Sequence, residues 1–174
     1  MTQNLRGISN IVVNDFGLGA AAGEVKIRYY ENADYLTTAV DYQGPHDTQF
    51  LTATVQKGDH YVKINNIEHI DFLKIDVEGM EHQVLQGFTE MFSKRAIDVI
   101  QFEYGTLSII TKFMLRDFYL FFIKYGYKVG KIYPTFVLFK DYDLSDENFL
   151  GPNYLAISPE RMDLYNLFAF RSRT

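Results

Sequence analysis

Two acidic side chains, Asp76 and Glu78, stand two residues apart in the run IDFLKIDVEGME (residues 70–81), just ahead of Gly79. A third, Glu103, closes the apolar run Ala96–Phe102, and His82 follows Glu81. Carboxylates set at the ends of buried strands can take a proton from a hydroxyl or orient it. His82, with an ordinary pKa near neutrality, is a further candidate general base. A purely structural role is the alternative for Asp76 and Glu78, since acids are favoured near the amides that open a helix. Glu81, in the first turn of the helix that follows, is a candidate partner for the helix dipole. Lys74 sits within the apolar run and is expected to pair with a carboxylate, because a buried lysine is rare without a partner.

Such chemistry depends on placement. The apolar run from Ile70 to Asp76 reads as a buried strand, and Val84, Leu85, Phe88, Met91 and Phe92 recur at helical spacing behind it, to about Phe92. Ala96–Phe102 is a second apolar strand. Leu107, Ile110, Met114, Phe118, Phe121, Phe122 and Tyr125 then give a second helical stripe, with Gly126 where a helix ends. The aromatic run from Phe113 to Tyr125 is accordingly a core-packing face. Strand, helix, strand, helix is a unit whose crossover is right-handed and whose strands are parallel neighbours. Both strands then end on one edge of the sheet, about 4.8 Å apart. Asp76, Glu78 and Glu103 should therefore share one crevice, on the edge where open α/β sheets hold ligands.

The flanks are predicted with less regular elements. Asn10–Val13 reads as a short buried strand, and Gly17, Gly19 and Gly23 as turn glycines; no helical pattern follows their G-x-G-x-x-x-G spacing, as a dinucleotide loop would need. Glu24–Tyr30 alternates as a half-exposed strand. Residues 31–48 form a polar loop broken at Gly44-Pro45. Phe50–Gln56 and Tyr61–Ile64 read as a hairpin turning at Lys57-Gly58-Asp59. Tyr127–Tyr133, Phe136–Phe139 and Tyr154–Ile157 are short strands, and a short helix or tail follows Pro159.

The 174 residues are enough for one domain with a sizeable core, and an apolar fraction of 47% is ordinary for a globular chain. A net charge of −5 argues against binding nucleic acid through its phosphates. Cysteine is absent, which removes disulfides, thiolate metal sites and a cysteine nucleophile. His46, His60 and His69 lack metal-ligand spacing. The chain shows no signal peptide, and its most membrane-like stretch, Phe118–Ile123, is far short of a span, so a soluble cytoplasmic protein is expected.

The run IDFLKIDVEGMEHQVLQGF closely resembles the signature of FkbM-type S-adenosylmethionine-dependent methyltransferases. ISNIVVNDFGLGAAAGEVKI is similar to that family's third strand and the segment after it. DVIQFEY, FFIKYGYKV and NYLAIS resemble later elements, so the likeness spans about residues 7–159. It implies a sheet ordered 3-2-1-4-5-7-6 and O-methylation of a small molecule or glycan with S-adenosylmethionine as donor. Asp76, Glu78, Glu103 and His82 become the catalytic candidates, and Asp15, Phe16 and Asp76 the cofactor-binding ones. No segment resembles the family's D-V-G-A-N-x-G loop or its second strand. The expected architecture is therefore α/β: a Rossmann-like class I methyltransferase sheet without its first two strands, mostly parallel with antiparallel C-terminal strands, in one domain over 1–174. Asn10–Val13 would then pair directly with Ile70–Asp76, or a homo-oligomer or complementing N-terminal segment would supply the missing part. Two alternatives stand beside methyl transfer. One is a non-catalytic remnant or interaction subunit of this fold. The other is Mg²⁺ hydrolysis at Asp76, Glu78 and Glu103.

Overall fold

The computed structural model describes residues 10–30, 37–41 and 49–170. The Gly44-Pro45 breaker and His46 lie outside them. Two sheets result. The smaller has β1 (Gly17–Gly19), β2 (Gly23–Tyr29) and β3 (Gln49–Lys57), ordered β1-β3-β2. Helix α1 (Gly58–Ile64) leads from β3 to β4 (Ile70–Ile75), the first strand of the larger sheet. After it come α2 (Glu81–Gly87), α3 (Thr89–Ser93), β5 (Ile97–Glu103), α4 (Ser108–Thr111), α5 (Leu115–Lys124), β6 (Lys128–Tyr133), β7 (Phe136–Phe139), β8 (Asn153–Ile157) and α6 (Met162–Phe168). The five strands are ordered β4-β5-β8-β6-β7.

The strand-helix-strand unit forms as the apolar pattern requires. β4 and β5 pair in parallel, with Ile75 opposite Phe102. Both runs are apolar enough to be read through, and Ile97, Ile100 and Phe102 are wholly buried. Leu85 of α2, Phe88 at the junction, Met91 and Phe92 of α3, and Leu115, Phe118 and Phe122 of α5 meet them in one core. Phe92 lies at its centre, with the rings of Phe121, Phe122, Tyr125 and Tyr127 at centroid distances of 5.0–5.9 Å. Truncating such a residue costs about 3–5 kcal/mol. A smaller cluster of Val99, Val137, Leu155 and Ile157 packs with Leu164 and Tyr165 of α6.

Several expectations are corrected. The larger sheet is not mostly parallel: β4–β5 is its one parallel pair, and β8 runs antiparallel to both β5 and β6. Asn10–Val13 forms no strand and does not pair with β4, which bonds only to β5 among the described residues. Its side chains find no core, and Val12 is 80% exposed. The free edge of β4 leaves Phe72 52% exposed.

The hairpin is also replaced. Residues 61–64 belong to α1, which turns Val62 into the large core. Four residues of alternation were too few to separate strand from helix. Asp59 then has a task a hairpin turn would not give it. Its buried carboxylate accepts hydrogen bonds from the Glu90 N–H at 3.1 Å and the Met91 N–H at 3.2 Å, capping α3. Gly17 and Gly19 are strand residues of β1, paired in parallel with β3, and not turn glycines.

The two helical stripes each break once. α2 gives way to α3 at Phe88, and α4 ends at Lys112, whose φ is 58°. Gly126 (φ 84°) follows the last turn of α5 as expected. At Gly87, on α2, an added Cβ would come within 2.1 Å of the Gly19 carbonyl oxygen. Only glycine allows that approach, and it fixes the small sheet beside α2.

Candidate active site

The register that sets Ile75 beside Phe102 brings the next residues, Asp76 and Glu103, out at the same sheet edge. One carboxylate oxygen from each of Asp76, Glu78 and Glu103 lies within 4.8 Å of the others. The clustering argued from topology is present. Lys74 donates a hydrogen bond to Asp76 Oδ2; the pairing is the expected one, although the lysine is half exposed and not buried.

Glu78 and Gly79 make the turn that brings the second carboxylate in. Glu78 has a φ of 50° and Gly79 a φ of 97°. The left-handed region is costly for a side chain with a Cβ, and such strain persists where surrounding contacts impose it. Two contacts do so. Thr38, buried in the segment beside β2, donates its hydroxyl hydrogen to the Glu78 carbonyl at 2.5 Å. From the other side, Glu81 Oε1 accepts the N–H groups of Val77 at 3.2 Å and Gly79 at 3.1 Å. Gly79 is confined as well, since a Cβ there would meet Leu107 at 2.8 Å and Val40 at 2.9 Å.

Glu81, 3% exposed, is thus the buried acid that folds the turn. Its hydrogen bonds go to the loop amides ahead of α2.

Crowding raises the acids. Burial pushes the Glu78 carboxyl above its ordinary pKa, with the charges of Glu103, Asp76 and Glu81 adding to it. Burial does the same to Glu103, followed by the Asp76 charge, against a smaller opposing pull from Lys74. Burial also raises Glu81, although its backbone hydrogen bonds oppose the rise. A raised carboxylate is a better proton acceptor than an ordinary one, which is what a general base needs near neutral pH.

The crevice beside Glu78 and Glu103 has a volume of about 280 Å³ and is lined by Glu78, Gly79, Glu103, Leu107, Phe149 and Pro152, among others; Asp76, exposed at the strand end, clusters with the two acids but does not line it. His82 is not in the carboxylate group. Its ring stacks on Phe113 at 5.1 Å, its Nε2 is 2.9 Å from Gln83 Nε2, and burial lowers its pKa. Asp15 is exposed on the segment entering β1. Phe16 is half-buried and meets Tyr61 edge-on at 5.7 Å. Neither lines the crevice.

A family model for the methyltransferase FkbM domain matches residues 15–129. The chain belongs to the FkbM methyltransferase family. The matched span of this FkbM domain contains Asp15, Phe16, Asp76, Glu78, His82 and Glu103, and stops ahead of β7 and β8. No curated protein and no solved structure gives a significant match.

Sequence reasoning missed Thr38, Glu147 and Phe149. Thr38 acts on Glu78 across 40 residues, and nothing local in its sequence signals that. At the opposite end of β4 and β5, His69 Nε2 lies 3.1 Å from Asp98 Oδ1, with Asp71 beside them. Asp98 is also bonded by Arg161, so this group ties the C-terminal segment to the sheet.

Proposed function

We propose that the chain is an S-adenosylmethionine-dependent methyltransferase acting on a hydroxyl of a small molecule or glycan. The observation that carries this reading is the convergence of Asp76, Glu78 and Glu103 at the carboxyl edge of a parallel strand pair, in a chain of the FkbM family. The strand order supports it further: β4-β5-β8-β6 repeats the 4-5-7-6 part of the order that the family resemblance implies. On this reading the larger sheet is the later part of a class I methyltransferase sheet in a single domain. The free edge of β4 is then where a further strand, from this chain or a complementing one, would pair.

The chemistry of the site suits a cationic donor. Three carboxylates face one lysine there, and Lys74 is engaged with Asp76. S-adenosylmethionine, when bound, supplies a methyl group on a positively charged sulfur. Asp76 is the residue proposed to hold the methionine end, with Asp15 and Phe16 toward the adenine. Glu103, raised by burial and by Asp76, takes the acceptor hydroxyl proton. Glu78, fixed by the Thr38 bond, orients that hydroxyl for in-line attack. His82, its pKa lowered by burial, stacks on Phe113 away from the carboxylates and is the weaker candidate for a second base.

The test is production of S-adenosylhomocysteine when the chain is incubated with S-adenosylmethionine and a panel of sugar and phenolic alcohols. Glu103→Gln should reduce turnover by about 10²–10⁴-fold. An unchanged rate in Glu103→Gln overturns the assignment.

A second reading draws on the same convergence, since three carboxylate oxygens within 4.8 Å could also hold Mg²⁺. A melting-temperature rise with Mg²⁺ that vanishes in Asp76→Asn would favour it.

A further inference from the structure

Glu147 lies in the loop between β7 and β8, outside the span that matches the family. Its carboxylate gathers three pieces of chain. Tyr104, the residue after Glu103, donates its phenol hydrogen to Oε2. The N–H groups of Leu115 and Arg116, which open α5, donate at 3.3 and 3.0 Å. The Tyr142 hydroxyl donates to Oε1 at 3.1 Å. A helix cap would need only the two amides. The two phenols add links to the end of β5 and back to the loop itself.

The residues that follow fold back over the strand tip. Phe149 has a φ of 54°, in the left-handed region that a bulky side chain avoids. Its ring stacks on Tyr104, with centroids 4.9 Å apart. The Pro152 carbonyl accepts the Tyr104 N–H at 2.8 Å. Phe149 and Pro152 line the crevice that holds Glu78 and Glu103, whereas Glu147 does not.

We propose that Glu147 is a positioning residue for the carboxylate crevice, holding Phe149 and Pro152 as the wall that keeps water from Glu78 and Glu103. The proposal rests on the reading of those carboxylates as the groups that handle the acceptor's proton. Loss of the Glu147 charge should loosen the strap and hydrate the crevice. Strain at Phe149 favours that release.

The experiment is a carboxyl ¹³C NMR titration of the full chain, comparing wild type with Glu147→Gln, Tyr104→Phe, Phe149→Ala and, as a control, Asp59→Asn. Asp59 caps α3 and does not line the crevice, so its variant loses stability without opening the wall. Glu103 should titrate lower by about half a unit or more in Phe149→Ala and Glu147→Gln, and stay at its wild-type midpoint in Asp59→Asn. Tyr104→Phe keeps the ring stack and removes one bond, so it decides the matter should Glu147→Gln fail to fold. A Glu103 midpoint that moves in Phe149→Ala but in neither Glu147→Gln nor Tyr104→Phe overturns the positioning role. A midpoint unmoved in Phe149→Ala overturns the wall. No cofactor or acceptor enters the titration, so its failure is distinct from failure of the methyl-transfer reading.

Discussion

The hydroxyl of Thr38 donates to the backbone carbonyl of Glu78 at 2.5 Å, although the two residues are 40 positions apart. Thr38 is itself held to Arg28 of β2 by two backbone hydrogen bonds, of 2.7 and 3.2 Å. The small sheet thereby reaches the turn that carries a candidate catalytic acid. Thr38→Val keeps the shape and leaves the Glu78 carbonyl without this donor. It should destabilise the fold by about 1–2 kcal/mol, whereas Thr38→Ser should stay near wild type. Thermal melts of the two variants check this.

Glu78 occupies a left-handed backbone conformation that glycine adopts freely. Glu78→Gly removes that cost, and with it a carboxylate crowded by Glu103 and Asp76. Stability should rise by about 1 kcal/mol while methyl transfer falls. A denaturant titration paired with the turnover assay reads both, and a loss of stability would contradict the strain argument.

Glu81 is buried, and one of its carboxylate oxygens accepts two loop amides. Glu81→Ala strips both bonds from the turn before α2. The expected cost is about 2–3 kcal/mol, measured by chemical denaturation.

The raised acids make an unusual pH dependence. A carboxyl raised in the folded state binds its proton more tightly there than in the unfolded chain. Its contribution to stability is complete below the unfolded value near 4.5 and is lost as pH rises through the folded value. Glu103 therefore weakens the fold above its own raised pKa. Glu103→Gln should melt at a higher temperature than wild type at pH 8, and the gap should close as pH falls toward 4.5. Melting curves across that window test the sign; a gap that widens on acidification contradicts it.

The core of this fold was legible because its signal is local. Ile70–Ile75 and Ile97–Glu103 are apolar runs with helical stripes behind them, and chain topology alone then brings Asp76 and Glu103 together. Tyr61–Ile64 fits either period over four residues, and only the burial of Val62 in the large core decides for a helix. Asn10–Val13 looked like a strand by composition, yet a strand needs a partner, and these residues have none among those described. The turn's supports were hidden for a different reason. Thr38 acts on Glu78 across 40 positions, and Glu147 gathers Tyr104, Leu115 and Arg116 from more than 30 positions away, with no periodic pattern to announce either. His82 was drawn toward the carboxylates by sequence proximity, while its ring packs on Phe113 instead.

The central claim is that this carboxylate crevice serves a methyl donor. Isothermal titration of the full chain with S-adenosylmethionine tests it most directly. Saturable heat at one equivalent, weakened about tenfold or more in Asp76→Asn through loss of a charge-assisted contact, is the predicted result. Absence of heat up to millimolar ligand would contradict it and leave a fold that keeps the acids without the donor.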